Sequence, residues 1–278
     1  MSYYTPLSTT TDQGKTTTIA GWTITTHKLP ILKSGEIDAM TQTLGIAPPE
    51  MIFGHNGVRI AHDASGWGVT FNALDALRGV DKTGESMLKV AYSESWTKMR
   101  ERVHEDIREV VKPFDWTYTT AYRGSVPETA TPQFAPTEEM IPFERLKRPD
   151  PILLFDEIVL YEDELADNGI AILSVKIRVH PERLFVLSRF YLRLDGVLVR
   201  VRDTRVFVEF ATGEVLREYQ AREETYANVR NKMYGRSPEE VPGLMRDPQY
   251  VCELTPIVET IREKAVIGGA AAASSASG

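Results

Sequence analysis

The groups in this 278-residue chain that could carry chemistry are five histidines, one cysteine and many carboxylates, 39 Asp plus Glu against 32 Lys plus Arg. Their spacing assigns them little catalysis. His55 and His62, with Asp63, could build a metal or acid–base site, whereas His27, His104 and His180 are scattered. Isolated histidines at such spacing are ordinarily solvent-facing or hydrogen-bonded, so no metal is expected. Cys252 stands alone, which excludes an internal disulfide or a cysteine zinc site, and with no basic neighbour it reads as a small core residue. The run Gly79-Val80-Asp81-Lys82-Thr83-Gly84-Glu85-Ser86 has the glycine spacing of a phosphate loop, but Glu85 takes the lysine's position and repels nucleotide. Gly14-Lys15-Thr16 matches only the end of that motif. There is no G-x-S-x-G, H-E-x-x-H or G-x-G-x-x-G. The chain is therefore expected to be no enzyme and to need no cofactor. A small-molecule enzyme using Asp75, Asp115 or the His55/His62 pair stands as the alternative.

Arginine is the stronger signal. Residues 173–205 hold eight Lys or Arg and three Asp or Glu, although the whole chain carries a charge of −7. Residues 151–168, just upstream, hold six acids and no base. Two readings follow: the arginines cross-pair with that acidic strand, or they form a site for a carboxylate or phosphate, which a guanidinium fork binds through two hydrogen bonds. A scaffold whose acidic and basic segments recruit different partners is a further possibility. A net acidic chain is a poor non-specific nucleic-acid binder.

The elements that must position these groups are mostly strands. In 152–222 the sequence reads as a β-meander: Leu173, Val175, Ile177 and Val179 alternate with Ser174, Lys176 and Arg178. After a turn at His180-Pro181-Glu182 the chain runs extended to Leu194. Asp195-Gly196 then predicts a two-residue hairpin loop. That loop pairs Leu194 with Val197, Leu192 with Val199 and Phe190 with Val201 on an apolar face. Arg189, Tyr191 and Arg193 then gather opposite Arg202, Arg200 and Leu198 on the other, with Arg205 beyond. Phe114, Trp116 and Tyr118 fall on one face of a predicted strand, as core or as a groove wall.

Helical signals are few. Ile37, Met40, Thr41 and Leu44 precede a C-cap at Gly45, and Asn72 caps a short helix over 73–78. A surface helix is expected around 94–110, a capping-box turn at Ser237-Pro238-Glu240, and a last helix opening at Thr255-Pro256 with Ile257, Ile261 and Ala265 on one side.

Residues 1–18, rich in Thr, and 268–278, only Gly, Ala and Ser, are expected to be mobile because they offer little apolar area. Between them, 19–267 is expected to be one domain, with a proline-rich connection over 127–151 that holds six prolines. No apolar run approaches the length of a membrane span, and neither a secretory nor a mitochondrial leader is recognisable, so the chain reads as cytosolic or nuclear.

Four long strings, in order, resemble the TIPRL family, regulators of type 2A protein phosphatases in TOR signalling. They are Phe71-Asn72-Ala73-Leu74-Asp75-Ala76-Leu77-Arg78; Lys112-Pro113-Phe114-Asp115-Trp116-Thr117-Tyr118-Thr119-Thr120; Asp156-Glu157-Ile158-Val159-Leu160-Tyr161-Glu162-Asp163-Glu164-Leu165; and the meander from Ser174 to Arg205 through Asp195-Gly196-Val197-Leu198-Val199-Arg200. The resemblance implies an α+β, β-rich fold, with antiparallel sheets packed as a sandwich and short peripheral helices. It also implies a non-catalytic binder of the phosphatase catalytic subunit, whose C-terminal tail enters a cleft, working alongside a Tap-type (alpha-type) regulator. Carried over by position, the residues tied to phosphatase binding correspond to Asp75, Ile141, Val201 and Asp203. Val201 stands where some animal members have methionine. Arg78, Arg200 and Arg205 join them on charge and predicted face, as clamps for a tail carboxylate. If Asp203 is such a contact, Asp203→Asn weakens binding and leaves thermal unfolding nearly unchanged.

Overall fold

The computed structural model describes residues 6–83 and 114–268. The expected helix at 94–110 and residues 269–278 lie outside these, as do residues 84–86 of the phosphate-loop-like run.

The meander read from the sequence is present as strands. The meander is β8 (Leu154–Asp163), β9 (Gly169–Val179), β10 (Arg183–Leu194), β11 (Leu198–Glu209) and β12 (Glu214–Thr225). With β4 (Met51–Ile52), β13 (Ile257–Val266) and β7 (Ala135–Pro136) it makes an eight-stranded antiparallel sheet in the order β4-β8-β9-β10-β11-β12-β13-β7. A five-stranded antiparallel sheet is built from β1 (Leu7–Thr11), β2 (Gly14–Ile19), β3 (Trp22–His27), β5 (Gly57–His62) and β6 (Gly68–Asn72). The inner faces of the two sheets share one apolar core, in which Ile24, Ile60, Val69 and Phe71 join Ile158, Val175, Val186 and Val206. Burial of these apolar side chains between the two sheets is the main stabilising term, about 1.5–3 kcal/mol per fully buried side chain.

The caps read from sequence are present. Helix α1 (Ser34–Leu44) ends at Gly45 with φ +72°, and its amide donates to the Thr41 carbonyl. Helix α2 (Ala73–Arg78) starts at Asn72, whose side chain accepts from the Asp75 amide. Ser237 and Glu240 exchange side-chain-to-amide bonds at 3.3 and 3.1 Å, the reciprocal pattern of a capping box. Among the described residues the other helices are α3 (Phe143–Leu146), α4 (Tyr226–Lys232), α5 (Val241–Leu244) and α6 (Pro248–Leu254).

Four expectations are corrected. The β10–β11 loop has three residues, Asp195-Gly196-Val197, with Leu194 opposite Leu198 and Gly196 at φ +74°. One residue of slip turns β11 over. The two-residue reading assumed that only one face is buried, whereas here both are, so Val199 and Val201 find cover outside while Arg200 and Arg202 point inward. Second, 257–266 is a strand, not a helix. A spacing of four (Ile257, Ile261, Ala265) suits either period, and the run Ile257-Val258-Glu259-Thr260-Ile261 is β-branched enough to join the β12 edge. Third, Phe114 to Tyr118 is a turn held by Asp115, which accepts from the Thr117 amide at 3.0 Å and hydroxyl at 2.6 Å; Tyr118 has φ +55°. Fourth, residues 7–19 of the Thr-rich start form the β1–β2 hairpin, because β2 pairs with β3 and Ile19 enters the core between the two sheets.

Candidate functional site

The pleat puts alternate residues of the large sheet on an outer face, away from the small sheet. Successive cross-strand rows on that face are Phe155–Arg178–Phe185–Phe207, Glu157–Lys176–Leu187–Arg205, Val159–Ser174–Arg189–Asp203 and Glu162–Ile172–Tyr191–Val201. Helices α4, α5 and α6 cover one end, where Val201, Val199 and Tyr191 pack with Val229, Met245 and Val251 in a second core. Ile141 covers the other end, over Phe207 and Leu216.

Between these covers lies a groove of about 890 Å³. Glu157, Glu162, Glu164 and Asp167 line one side; Arg189, Arg193 and Arg246, with Asp195 and Asp247 among them, line the other; Ile170, Ile172 and Tyr191 floor it. Burial, and then the neighbouring Glu164, push the Glu162 carboxyl above its ordinary value. Tyr191 donates to the Met245 carbonyl at 2.6 Å, tying the floor to the helical cover.

A chain of charge pairs crosses the middle of the face. Arg189 forks onto Asp203 at 2.7 and 2.8 Å, Arg205 adds a third bond at 2.8 Å, and Glu218 links Arg205 (3.2 Å) to Arg262 (3.0 Å). Asp203 is 1% exposed. Burial works against the Arg189 charge, but the carboxylate outweighs it and raises the guanidinium's pKa. Arg189 also donates to Gln249, and Arg193 to the Met245 carbonyl. Arg246 has no side-chain partner among the described residues.

Of the residues singled out by sequence, Ile141, Val201, Asp203 and Arg205 share the outer face. Ile141 and Val201 are buried in its two covers, and Asp203 and Arg205 lie in the charge chain. Asp75 and Arg78 are elsewhere, on α2. There the Asp75 carboxylate accepts from Ser125 at 2.6 Å, Asn72 at 2.8 Å and Arg78 at 2.9 Å. Arg200 is on the inner face, bonded to Glu223 at 2.5 Å and Thr119 at 3.1 Å. So the expected single arginine face is corrected: the arginines divide between two faces. Arg189, Arg200, Arg202 and Arg205 pair with Asp203, Glu218 and Glu223, acids of their own and neighbouring strands, whereas of the basic residues in 173–205 Lys176 is the one that meets the acidic stretch of β8, at Glu157 among the described residues. The slipped register is the cause.

His55 pairs with Glu36 at 2.8 Å, whereas His62 bonds Ser65 at 2.9 Å and packs on Trp22, so the two histidines serve separate contacts. Cys252 is buried, and burial raises its thiol pKa. Sequence reasoning missed Arg246 and Gln249 altogether. It had Arg189 and Arg193 on the right strand, and a three-residue loop would have aligned Arg189 with Asp203.

The chain is similar to known proteins over most of its length. A family model described as the TIP41-like family matches residues 51–230. The human TIP41-like protein is 41% identical over 247 residues, 88% of this chain and 87% of that protein. The Saccharomyces cerevisiae protein named type 2A phosphatase activator TIP41 is 39% identical over 256 residues, 87% of this chain and 72% of that one. A Schizosaccharomyces pombe protein of the same description is 36% identical over 208 residues, 75% and 81% of the two chains.

Proposed function

The chain belongs to the TIP41-like family, and from that premise we propose that it is a non-catalytic regulator of type 2A protein phosphatases. It binds the catalytic subunit, takes up that subunit's C-terminal tail, and modulates phosphatase activity or assembly in TOR signalling beside a Tap-type regulator, in the cytosol or nucleus. The observation that carries this reading is the 39% identity, over most of the chain, to a protein named as a type 2A phosphatase activator. No helix among the described residues is long and apolar enough to cross a membrane.

The outer-face groove is the cleft this reading calls for. Its floor is apolar and its cover is tied down by Tyr191. An extended segment buries side chains on such a floor and sets its charges against the walls. Arg246, unpartnered and at the groove, replaces Arg200 as the clamp for the tail carboxylate. Ile141, Val201, Asp203 and Arg205 act by shaping this face, and Asp75 with Arg78 provides a separate contact on α2.

Calorimetric titration with a synthetic peptide copying a type 2A phosphatase tail tests the cleft. Binding is expected to weaken at least about tenfold when the peptide is amidated or Arg246→Glu is introduced. Binding to the whole catalytic subunit without binding to the peptide would move recognition away from the groove. Absence of both would end the phosphatase reading.

A further inference from the structure

One row of the outer face lies beyond the groove and is built differently from the rest. Phe155, Arg178 and Phe185 are direct cross-strand neighbours on β8, β9 and β10. Phe155 is 49% exposed, and Phe143 of α3, 44% exposed, meets the Phe185 ring edge-on at 6.1 Å. Scattered exposed apolar residues need no explanation, but aromatic side chains clustered on a rigid sheet mark an interaction surface.

The charges around the strip say what it fits. Glu157 is held by Lys176 at 3.0 Å, Glu209 by Arg145 at 2.7 Å and Glu144 by Lys147 at 2.6 Å, while Asp150 and Glu182 both turn to Arg183. Arg178, exposed between the two phenylalanines, and Arg148, beside Arg183, have no hydrogen-bond or ion-pair partner among the described residues. The acids of this neighbourhood already face a cation and two cations face none, so the unmet charge is positive and sits among aromatic rings. Arginine and aromatic residues together are the composition of interface anchors.

We infer that the Phe143–Phe155–Phe185 strip with Arg178 is a second docking surface, whose occupant is an acidic segment of a partner protein bearing large apolar side chains. The apolar side chains cover the rings, and a carboxylate meets Arg178 with Arg148 behind it. This surface adjoins the groove but does not rest on the tail reading, because it needs no terminal carboxylate and does not use Arg246.

The test is fluorescence anisotropy on the full chain with a labelled, C-terminally amidated Asp-Glu-Phe-Asp-Glu-Leu peptide, and with a version carrying Lys in place of every acid. The acidic peptide is expected to bind and the lysine peptide not. Arg178→Glu should lower acidic-peptide affinity about tenfold or more and transfer preference to the lysine peptide, and Phe155→Ser should weaken the acidic peptide similarly. Arg246→Glu should leave both unchanged, separating this surface from the groove. Both strip residues are exposed, so circular dichroism melts of their variants should match the parent. No binding of the acidic peptide, or binding indifferent to Arg178→Glu, overturns the proposal. So does a dimer in sedimentation that Phe155→Ser dissolves, since the occupant would then be a second copy of this chain.

Discussion

Arg189 lies directly across the β10–β11 pair from Asp203 and grips its carboxylate with two parallel bonds, Nε to Oδ1 at 2.7 Å and Nη2 to Oδ2 at 2.8 Å. With Arg205 on the same carboxylate, Asp203 has a full set of donors and almost no solvent. A residue in that position shapes a site through the arginines it holds. Removing one partner of a buried ion pair strands the others, at a cost of about 3–5 kcal/mol.

Asp203→Asn is therefore expected to lower the unfolding midpoint by several degrees, about 2–4 °C per kcal/mol for a chain of this size. That reverses the expectation for a surface contact, namely weakened binding with unchanged unfolding. Calorimetric melts, with phosphatase binding measured well below the midpoint, check it. An unchanged midpoint would show the pair to be dispensable for folding.

Glu223 provides a matching test on the inner face. Burial pushes its carboxyl up, but Arg200 and Arg202 outweigh burial and hold its pKa below the ordinary 4.5. A depressed folded-state pKa means stability that is present above the unfolded value and lost as pH falls through the folded one. Glu223→Gln should cost about 1–2 kcal/mol at pH 7, since the side chain keeps some solvent, and the cost should shrink as the medium is acidified below pH 4.5. Urea unfolding at pH 7 and pH 3 measures both. Arg200→Ala should show the same loss and leave tail-peptide binding intact; impaired binding with unchanged stability would return Arg200 to the cleft.

Glu162 on the acidic wall has the opposite sign. Its raised pKa means that the protein is destabilised as pH rises through the folded value and unburdened below the unfolded one. Glu162→Gln should then raise the melting point slightly at pH 7 and have no effect near pH 3. A mutant less stable at pH 7 would mean that the carboxylate makes a favourable contact there.

The Thr-rich start gives a truncation series. Every residue of β1 is exposed, so a chain beginning at residue 13 should unfold at nearly the parent urea concentration. Deleting through Ile19 takes Thr17 and Ile19 out of the core and leaves β3 as the edge, and should cost at least about 3 kcal/mol. Equal stability of the two truncations would show that β2 contributes nothing.

What local chemistry dictates was legible in the sequence. Gly45 ends α1 because only a residue tolerant of positive φ closes that turn, and Asn72 starts α2 because its side chain satisfies an orphan amide. The β9 alternation places Leu173, Val175 and Ile177 in the core whatever lies beyond. Four strings in order carried the family. These signals are local or additive, so no knowledge of packing is needed to read them.

Tertiary structure decided which face each arginine occupies. Leu192, Val199 and Val201 are apolar in any register, and pairing Leu192 with Val199 buries one face of an isolated hairpin well. Only the cover of α4 to α6 over the outer face makes it favourable for Val199 and Val201 to turn away from Leu192. The three-residue loop, the Arg189–Asp203 pair and the division of the arginines all follow from that cover. Likewise, Ile257, Ile261 and Ala265 fit both a helix and a strand, and the open edge of β12 selects the strand. Where a pattern satisfies two conformations equally, the partner surface chooses, and that surface is assembled from residues far away along the chain.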